Sequence, residues 1–166
     1  MADIDTAEHR RVVAVIDGNS LMHRAFHAVP PTMTAPDGRP TNAIFGFLNM
    51  FLKMVDEFHP DGVICAFDKG RPRVRMEMLP QYKAQRPPMD PNLHDQFPMI
   101  KELLGALSVP IVEAEGWEGD DILGTVARLG EAAGCDMYLI TGDRDMYQLV
   151  TEHVHVVSTR KGLSDI

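Results

Sequence analysis

The residues best suited to chemistry in this sequence are seven acidic side chains, which follow apolar runs or open a helical pattern: Asp17, Asp68, Glu118, Asp120, Asp121, Asp143 and Asp145. Side chains at the carboxyl ends of parallel strands meet at one edge of a sheet. Carboxylates gathered there repel one another unless cations lie between them, and the repulsion raises some of their pKa values. Oxygen ligands without clustered cysteine or histidine favour Mg²⁺ or Mn²⁺ over zinc. The pattern predicts a site for two divalent cations, of the kind that acts on phosphodiesters.

Each acid taken alone also has an ordinary structural explanation. Asp17-Gly18 is a common turn pair, and Asp143 is a good helix N-cap. Asp68 can pair with Lys69, and the acids at 118–121 suit the positive end of a helix dipole. Turns and caps do not explain why seven carboxylates fall at the same predicted edge, so we prefer the metal-site interpretation.

A basic, proline-rich stretch interrupts the pattern between residues 69 and 91. Its charge is +4, whereas the whole chain carries −8, so the remainder is strongly acidic. Lysine and arginine attract phosphates, and an aromatic ring can stack on an unpaired base. The residues predicted to contact nucleic acid, within this stretch and on the first helix, are Arg24, Arg71, Arg75, Tyr82, Lys83 and Arg86. The alternatives are a solvated loop and, for Arg24, a surface ion pair.

Strand-forming runs alternate with amphipathic helical patterns along the chain. The predicted strands are Val12–Ile16, Val63–Phe67, Pro110–Val112, Met137–Thr141 and Val154–Val157. After a first helix that carries Arg24, the predicted helices are Ala43–Phe58, Leu93–Leu107, Ile122–Ala133 and Met146–Val150. Continuous apolar strands are typical of a parallel sheet buried on both faces, and the alternation predicts an α/β fold.

Length and composition narrow the class of protein. A chain of 166 residues suits one domain, and no apolar run approaches the roughly 18 residues of a membrane helix. Cys65 and Cys135 are expected to be free thiols in a reducing compartment, and no signal peptide is visible, so we expect a cytoplasmic location. A net charge of −8 argues against a simple nucleic-acid-coating module.

Five motifs, in this order along the chain, resemble those of the bacterial 5′ nuclease family. They are Val15-Ile16-Asp17-Gly18-Asn19-Ser20, Ala66-Phe67-Asp68, Tyr82-Lys83-Ala84-Gln85-Arg86, Gly116-Trp117-Glu118-Gly119-Asp120-Asp121 and Thr141-Gly142-Asp143-Arg144-Asp145. Within this family the sequence resembles the N-terminal 5′–3′ exonuclease domain of bacterial DNA polymerase I, which is related to flap endonucleases and more remotely to PIN domains.

This resemblance implies a metal-dependent nuclease that acts on DNA 5′ ends, flaps or nicks, and on RNA primers on DNA, in replication and repair. It implies that all seven carboxylates bind Mg²⁺ or Mn²⁺ at two sites. It also implies that Arg24, Lys83 and Arg86 act at the scissile phosphate. The fold it implies is a three-layer, PIN-like α/β domain with a mainly parallel sheet ordered 3-2-1-4-5. Residues 69–91 would form an arch around a single-stranded 5′ end.

We expect residues 1–11 to form an N-terminal tail and residues 12–166 to form the nuclease domain. The family continues into a helical region that binds metal and duplex DNA. We therefore expect the chain to be part of a longer protein with polymerase domains, and to cleave DNA slowly on its own. Two other functions stay open, an aspartate-nucleophile phosphohydrolase that uses Asp17 and a non-catalytic nucleic-acid-binding module.

Overall fold

The computed structural model describes residues 10–69, 89–117, 119–159 and 164–165, and a six-stranded sheet lies at its centre. The strands are β1 (Val12–Asp17), β2 (Gly62–Lys69), β3 (Ile111–Glu115), β4 (Asp136–Thr141), β5 (Val154–Ser158) and β6 (Ser164–Asp165). Strands β1 to β5 pair in parallel in the order 3-2-1-4-5, and β6 adds an antiparallel edge beside β5. The predicted fold class and strand order are confirmed.

The helices of the described ranges pack on both faces of this sheet. They are α1 (Gly18–Ala28), α2 (Asn42–Phe58), α3 (Pro91–His94), α4 (Gln96–Ala106), α5 (Gly119–Ala132) and a 3-10 helix (Arg144–Leu149). Successive side chains of the central strand β1 face opposite sides of the sheet. Ile16 is buried against α1 and α2, and Val15 is buried against α5. Two separate cores result, one on each face, and the three-layer prediction holds.

Helix α5 begins at Gly119, three residues before the predicted start, and two other predicted helices differ from the structure in number or type. The single helix expected over Leu93–Leu107 is two helices, which begin at Pro91 and break at Asp95. Asp90 caps the first through the Asn92 N–H, 2.8 Å away. The break follows from Pro98, which has no N–H to donate to the previous turn and is tolerated in the first turn of a new helix.

The helix predicted over Met146–Val150 is a 3-10 helix, Arg144–Leu149, that starts two residues earlier. Its start is set by Asp143, whose carboxylate accepts a hydrogen bond from the Asp145 N–H at 2.9 Å. A capped segment of only six residues suits the tighter 3-10 form, in which runs are short.

The amino edge of the sheet is closed by a polar contact from the start of the described chain. Arg10 Nε donates to Asp136 Oδ1 at 3.0 Å, and His153 Nδ1 lies 2.9 Å from the same oxygen. Arg10 therefore contacts the body of the domain, and the boundary between residues 11 and 12 stays a prediction. Within the described ranges, no helix combines the length and apolar character needed to cross a membrane.

Candidate metal centre at the carboxyl edge of the sheet

Asp17 lies at the middle of the carboxyl edge, as the last residue of β1 and the N-cap of α1. It is 92% buried, since only 8% of its surface is exposed. The Thr141 hydroxyl donates to its Oδ2 at 2.7 Å, and the Ser20 N–H donates to its Oδ1 at 3.2 Å. Two donors thus hold one buried carboxylate in a fixed orientation.

Burial raises the pKa of Asp17 to about 6. The hydrogen bonds from Thr141 and Ser20 oppose the rise, whereas the negative charges of Asp68 and Asp120 add to it. Like-charge repulsion was the cause expected from the sequence, and it contributes. Desolvation is the larger cause, because it follows from the position of Asp17 at the end of a strand buried on both faces.

Asp68, near the end of β2, faces Asp17 across the start of α5. Its Oδ1 accepts a hydrogen bond from the Gly119 N–H, so it caps that helix. A Cβ atom built on Gly119 would lie 2.9 Å from Asp68 Oδ1 and 3.8 Å from Asp17 Oδ1. Both carboxylates therefore point toward the same small volume at the first turn of α5, and the glycine leaves room for them.

Asp120 and Asp121 occupy the first turn of α5. Asp120 is close enough to raise the pKa of Asp17 and also lines the larger of two surface hollows, whereas Asp121 borders both hollows, on either side of the helix. The larger hollow, about 420 Å³, lies between α5 and the 3-10 helix and is also lined by Arg128 and Leu149. The structure thus brings Asp120 toward Asp17 and Asp68 and places Asp121 at the rim.

Asp143 and Asp145 follow β4 on the other side of Asp17. The Asp143 N–H donates to Thr141 Oγ1 at 3.1 Å, so Thr141 connects it to Asp17. Asp145 is exposed in the first turn of the 3-10 helix. The carboxylates therefore lie at different depths along the edge, with Asp17 buried and Asp145 exposed to solvent.

The chemistry of these side chains suits a hard divalent cation. The donors are carboxylate oxygens, and Asp17 and Asp68 face one volume in which negative charge already raises a pKa. Among the described residues, no group of three acidic, histidine or cysteine side chains is arranged to hold a metal ion. The carboxylate oxygens are the kind of ligand that such an ion prefers. In the described residues, however, three of them are not arranged around a single point.

Several predicted site residues lie outside the described residues: Glu118, Arg71, Arg75, Tyr82, Lys83 and Arg86. Their assignments stay predictions, as does the arch over residues 69–91. Arg24 is exposed on α1, the helix that starts at the carboxyl edge.

Sequence reasoning missed the polar residues that link the strand ends. Asn19 Oδ1 accepts from the Asp68 N–H at 2.9 Å, and Ser20 Oγ accepts from the Gly142 N–H at 2.8 Å. Asn19 and Ser20 lie within the same sequence motif as Asp17, and this is the feature of the sequence that could have identified them.

The chain is similar in sequence to a known family of exonuclease domains and to bacterial DNA polymerases. The family model described as "5′-3′ exonuclease, N-terminal resolvase-like domain" matches residues 12–165. DNA polymerase I of Caldicellulosiruptor bescii is 43% identical over 150 residues, which cover 89% of this chain and 18% of that protein. DNA polymerase I of Bacillus subtilis is 38% identical over 157 residues, with 95% and 18% covered. The chain thus spans about 18% of the length of these relatives.

Solved structures share the fold. The T5 5′-exonuclease with bound divalent metal ions (zinc) superposes with a TM-score of 0.70 at 22% identity, covering 94% of this chain and 58% of that one. A bacteriophage T5 flap endonuclease, in a pseudo-enzyme–product complex with DNA and metal ions, gives a TM-score of 0.68 at 21% identity, with 93% and 57% covered. At these identities the likeness establishes the fold.

Proposed function

Because the chain belongs to the family of 5′-3′ exonuclease N-terminal, resolvase-like domains, we propose that its acidic sheet edge is the metal centre of a nuclease. The observation that carries the proposal is the buried Asp17, whose pKa is raised to about 6 by burial and by its acidic neighbours. A buried carboxylate beside two others is unfavourable for folding unless a cation neutralises it. Such an arrangement is expected where a cation is bound for function.

We propose Mg²⁺, or Mn²⁺ in its place, as the cation. Asp17, Asp68 and Asp120 would hold one ion, and Asp143 and Asp145 lie on the side where a second would bind. Glu118 and Asp121 would complete the set, as the resemblance implies. Bound ions of this kind stabilise the charge on the attacking and leaving oxygens of a phosphodiester. The solved structures with divalent ions support metal dependence of this site.

The proposed substrate is DNA with a 5′ end, a flap or a nick, including RNA primers on DNA. Relatives that are DNA polymerase I, and a flap endonuclease structure that contains DNA, support this class of substrate. Arg24, Lys83 and Arg86 would hold the scissile phosphate, and residues 69–91 would contact the single strand with their net positive charge. Polymerase domains are the proposed covalent partner, and the cytoplasm is the proposed location.

A flap-cleavage assay tests this function. We propose to measure cleavage of a labelled 5′-flap DNA with protein in excess over DNA, because we expect slow turnover from this chain alone. The variant is Asp68→Asn, and the control is Asp61→Asn, the same chemical change in an exposed residue whose carboxylate accepts from the Val12 N–H. We expect Mg²⁺-dependent cleavage that falls at least about 100-fold in the first variant and stays within about twofold in the control.

The outcomes separate the candidate functions. Cleavage that persists in a chelator, or that is equal in Asp68→Asn and wild type, would contradict the metal centre. Labelled phosphate attached to the protein through Asp17 would point to the aspartate-nucleophile phosphohydrolase. Cation-independent DNA binding without cleavage would point to the non-catalytic module.

A further inference from the structure

The turn formed by residues 17–20 contacts both neighbouring strand ends through side-chain oxygens. On one side, Asn19 Oδ1 accepts from the Asp68 N–H of β2 at 2.9 Å. On the other side, Ser20 Oγ accepts from the Gly142 N–H after β4 at 2.8 Å. The partners are 49 and 122 residues apart in the chain, so these bonds fix tertiary structure and not local turns.

Thr141, the last residue of β4, makes a further contact between the ends of β4 and β1. Its hydroxyl donates to Asp17 Oδ2 at 2.7 Å and accepts from the Asp143 N–H at 3.1 Å. A hydroxyl is the only uncharged side-chain group of this size that donates and accepts through one atom. Thr141 is fully buried, so the two bonds form away from bulk water, where hydrogen bonds are strong.

The simplest alternative is that these bonds only satisfy buried backbone groups and helix ends. Capping of α1 and of the 3-10 helix is already provided by the Asp17 and Asp143 carboxylates. Asn19 and Ser20 direct their side chains to other segments instead of to their own helix. Each of these side-chain hydrogen bonds is made to a candidate metal ligand or to the residue next to one. Capping alone does not account for this placement.

We propose that Asn19, Ser20 and Thr141 are positioning residues, which hold Asp68 and Asp143 at fixed places around Asp17 and so limit the movement that the ligands must make to bind a cation. This inference rests on the proposed metal centre. The bonds that hold the strand ends use amide and hydroxyl oxygens as acceptors from backbone N–H groups. Preformed ligands lose less freedom when the ion binds, and small displacements of ligands weaken a site strongly.

The opposite edge of the sheet supplies a matched control. The Thr151 hydroxyl donates to Glu131 Oε1 at 2.9 Å and accepts from the N–H groups of His153 and Val154, at 3.2 and 3.1 Å. It makes the same kinds of bond as Thr141, to a carboxylate and to backbone, at the amino end of β5. Thr151 is exposed, unlike Thr141, so Thr151→Val removes a hydroxyl with the same kinds of partner from a more solvated place that is remote from the candidate ligands.

The test is the dissociation constant of Mn²⁺, measured by electron paramagnetic resonance, together with the free energy of unfolding. We expect Ser20→Ala and Thr141→Val each to weaken Mn²⁺ binding about tenfold or more. Thr141→Ser, which restores the hydroxyl, should recover affinity to within about threefold of wild type. Thr151→Val should lower stability and leave the Mn²⁺ affinity unchanged. Amide hydrogen exchange in cation-free protein should show faster exchange at Gly142 in Ser20→Ala and at Asp143 in Thr141→Val.

The results distinguish this inference from the function on which it rests. If wild type binds Mn²⁺ and the Ser20 and Thr141 variants bind it equally well, the positioning role is wrong and the metal centre stands. If wild type binds no Mn²⁺, the metal centre fails and the inference fails with it. If Thr141→Val does not fold, Ser20→Ala decides the question through its Mn²⁺ affinity and the exchange of the Gly142 N–H.

Discussion

At the scale of single residues, Asp17 shows how a candidate metal ligand can oppose stability. It ends the central strand, where burial favours the protonated form and two neighbouring carboxylates add to that preference. Thr141 and Ser20 donate hydrogen bonds that offset part of the rise in its pKa. In the absence of cations, an ionised Asp17 is therefore a source of instability at neutral pH.

A pH-dependent stability difference follows for Asp17→Asn. The pKa of Asp17 is about 6 in the folded state against its ordinary value of 3.8, so the folded protein binds a proton more tightly than the unfolded chain. Stability should fall as pH rises from about 4 to about 6, by an amount on the order of 3 kcal/mol. In chelator, Asp17→Asn should be the more stable protein at pH 8, and the difference should vanish near pH 4.

The measurement is urea unfolding of both proteins across this pH range. Asp56→Asn, a change in an exposed residue of α2, is the control and should change stability little. An Asp17→Asn protein that is less stable than wild type at pH 8 would show that the Asp17 carboxylate stabilises the cation-free fold.

Gly18 is a second residue whose type is set by its surroundings, here the packing of α1 on β2. A Cβ atom there would lie 2.6 Å from Cζ of Phe67, which is fully buried under the start of α1. Gly18→Ala should destabilise the protein by about 1–3 kcal/mol through overpacking, despite the better helix propensity of alanine. Gly105→Ala, in α4 where a Cβ meets nothing within 4 Å, should instead stabilise by up to about 1 kcal/mol. Thermal unfolding measures both, and equal effects would contradict the close packing at Gly18.

At the scale of elements, the start of α2 is held by a side chain from another helix. Gln96 Oε1 accepts from the N–H groups of Ala43 and Ile44, at 2.8 and 3.2 Å, and its Nε2 donates to Asn42 Oδ1 at 2.9 Å. Asn42 in turn donates to the Phe26 carbonyl, at the end of α1. This buried network joins α1, α2 and α4 and so holds the helical layer that supports the carboxyl edge.

Gln96→Leu tests that network. The substitution keeps an apolar volume but leaves buried N–H groups and an amide oxygen without partners, at about 1–3 kcal/mol for each group. We expect the free energy of unfolding to fall by about 3 kcal/mol or more. Gln148→Leu, in an exposed position of the 3-10 helix, is the control and should change stability little. Comparable losses in the two variants would rule out a structural role for the network.

The elements also show what the sequence could and could not predict. Apolar periodicity located every strand from β1 to β5. It did not locate the buried face of α2 correctly, because Leu52 and Val55 share the apolar spacing of that helix but are exposed. It could not locate the break at Asp95, because that depends on Pro98 and on a cap at Asp90, which lie outside the periodic signal. Nor did it indicate the role of Gln96, whose partners at the start of α2 are more than 50 residues away.

At the scale of the whole molecule, strand order decides which acids meet. The order 3-2-1-4-5 places β2 and β4 on either side of β1, so Asp68 and Asp143 flank Asp17. The family resemblance implied this strand order. Because the carboxyl ends of parallel strands meet at one edge of a sheet, the sequence also predicted that these acids would lie at the same edge. The depth of each acid was not predictable, since the burial of Asp17 and the exposure of Asp145 depend on how α5 and the 3-10 helix cover the edge.

The most direct test of the central claim is an anomalous difference map from crystals grown with Mn²⁺. The metal centre predicts a strong peak between Asp17 and Asp68, at the first turn of α5, with carboxylate oxygens at coordination distance of about 2.1 Å. The same map from Asp68→Asn crystals should lose that peak. No peak at the carboxyl edge, or peaks only at other acidic residues of the surface, would contradict the account.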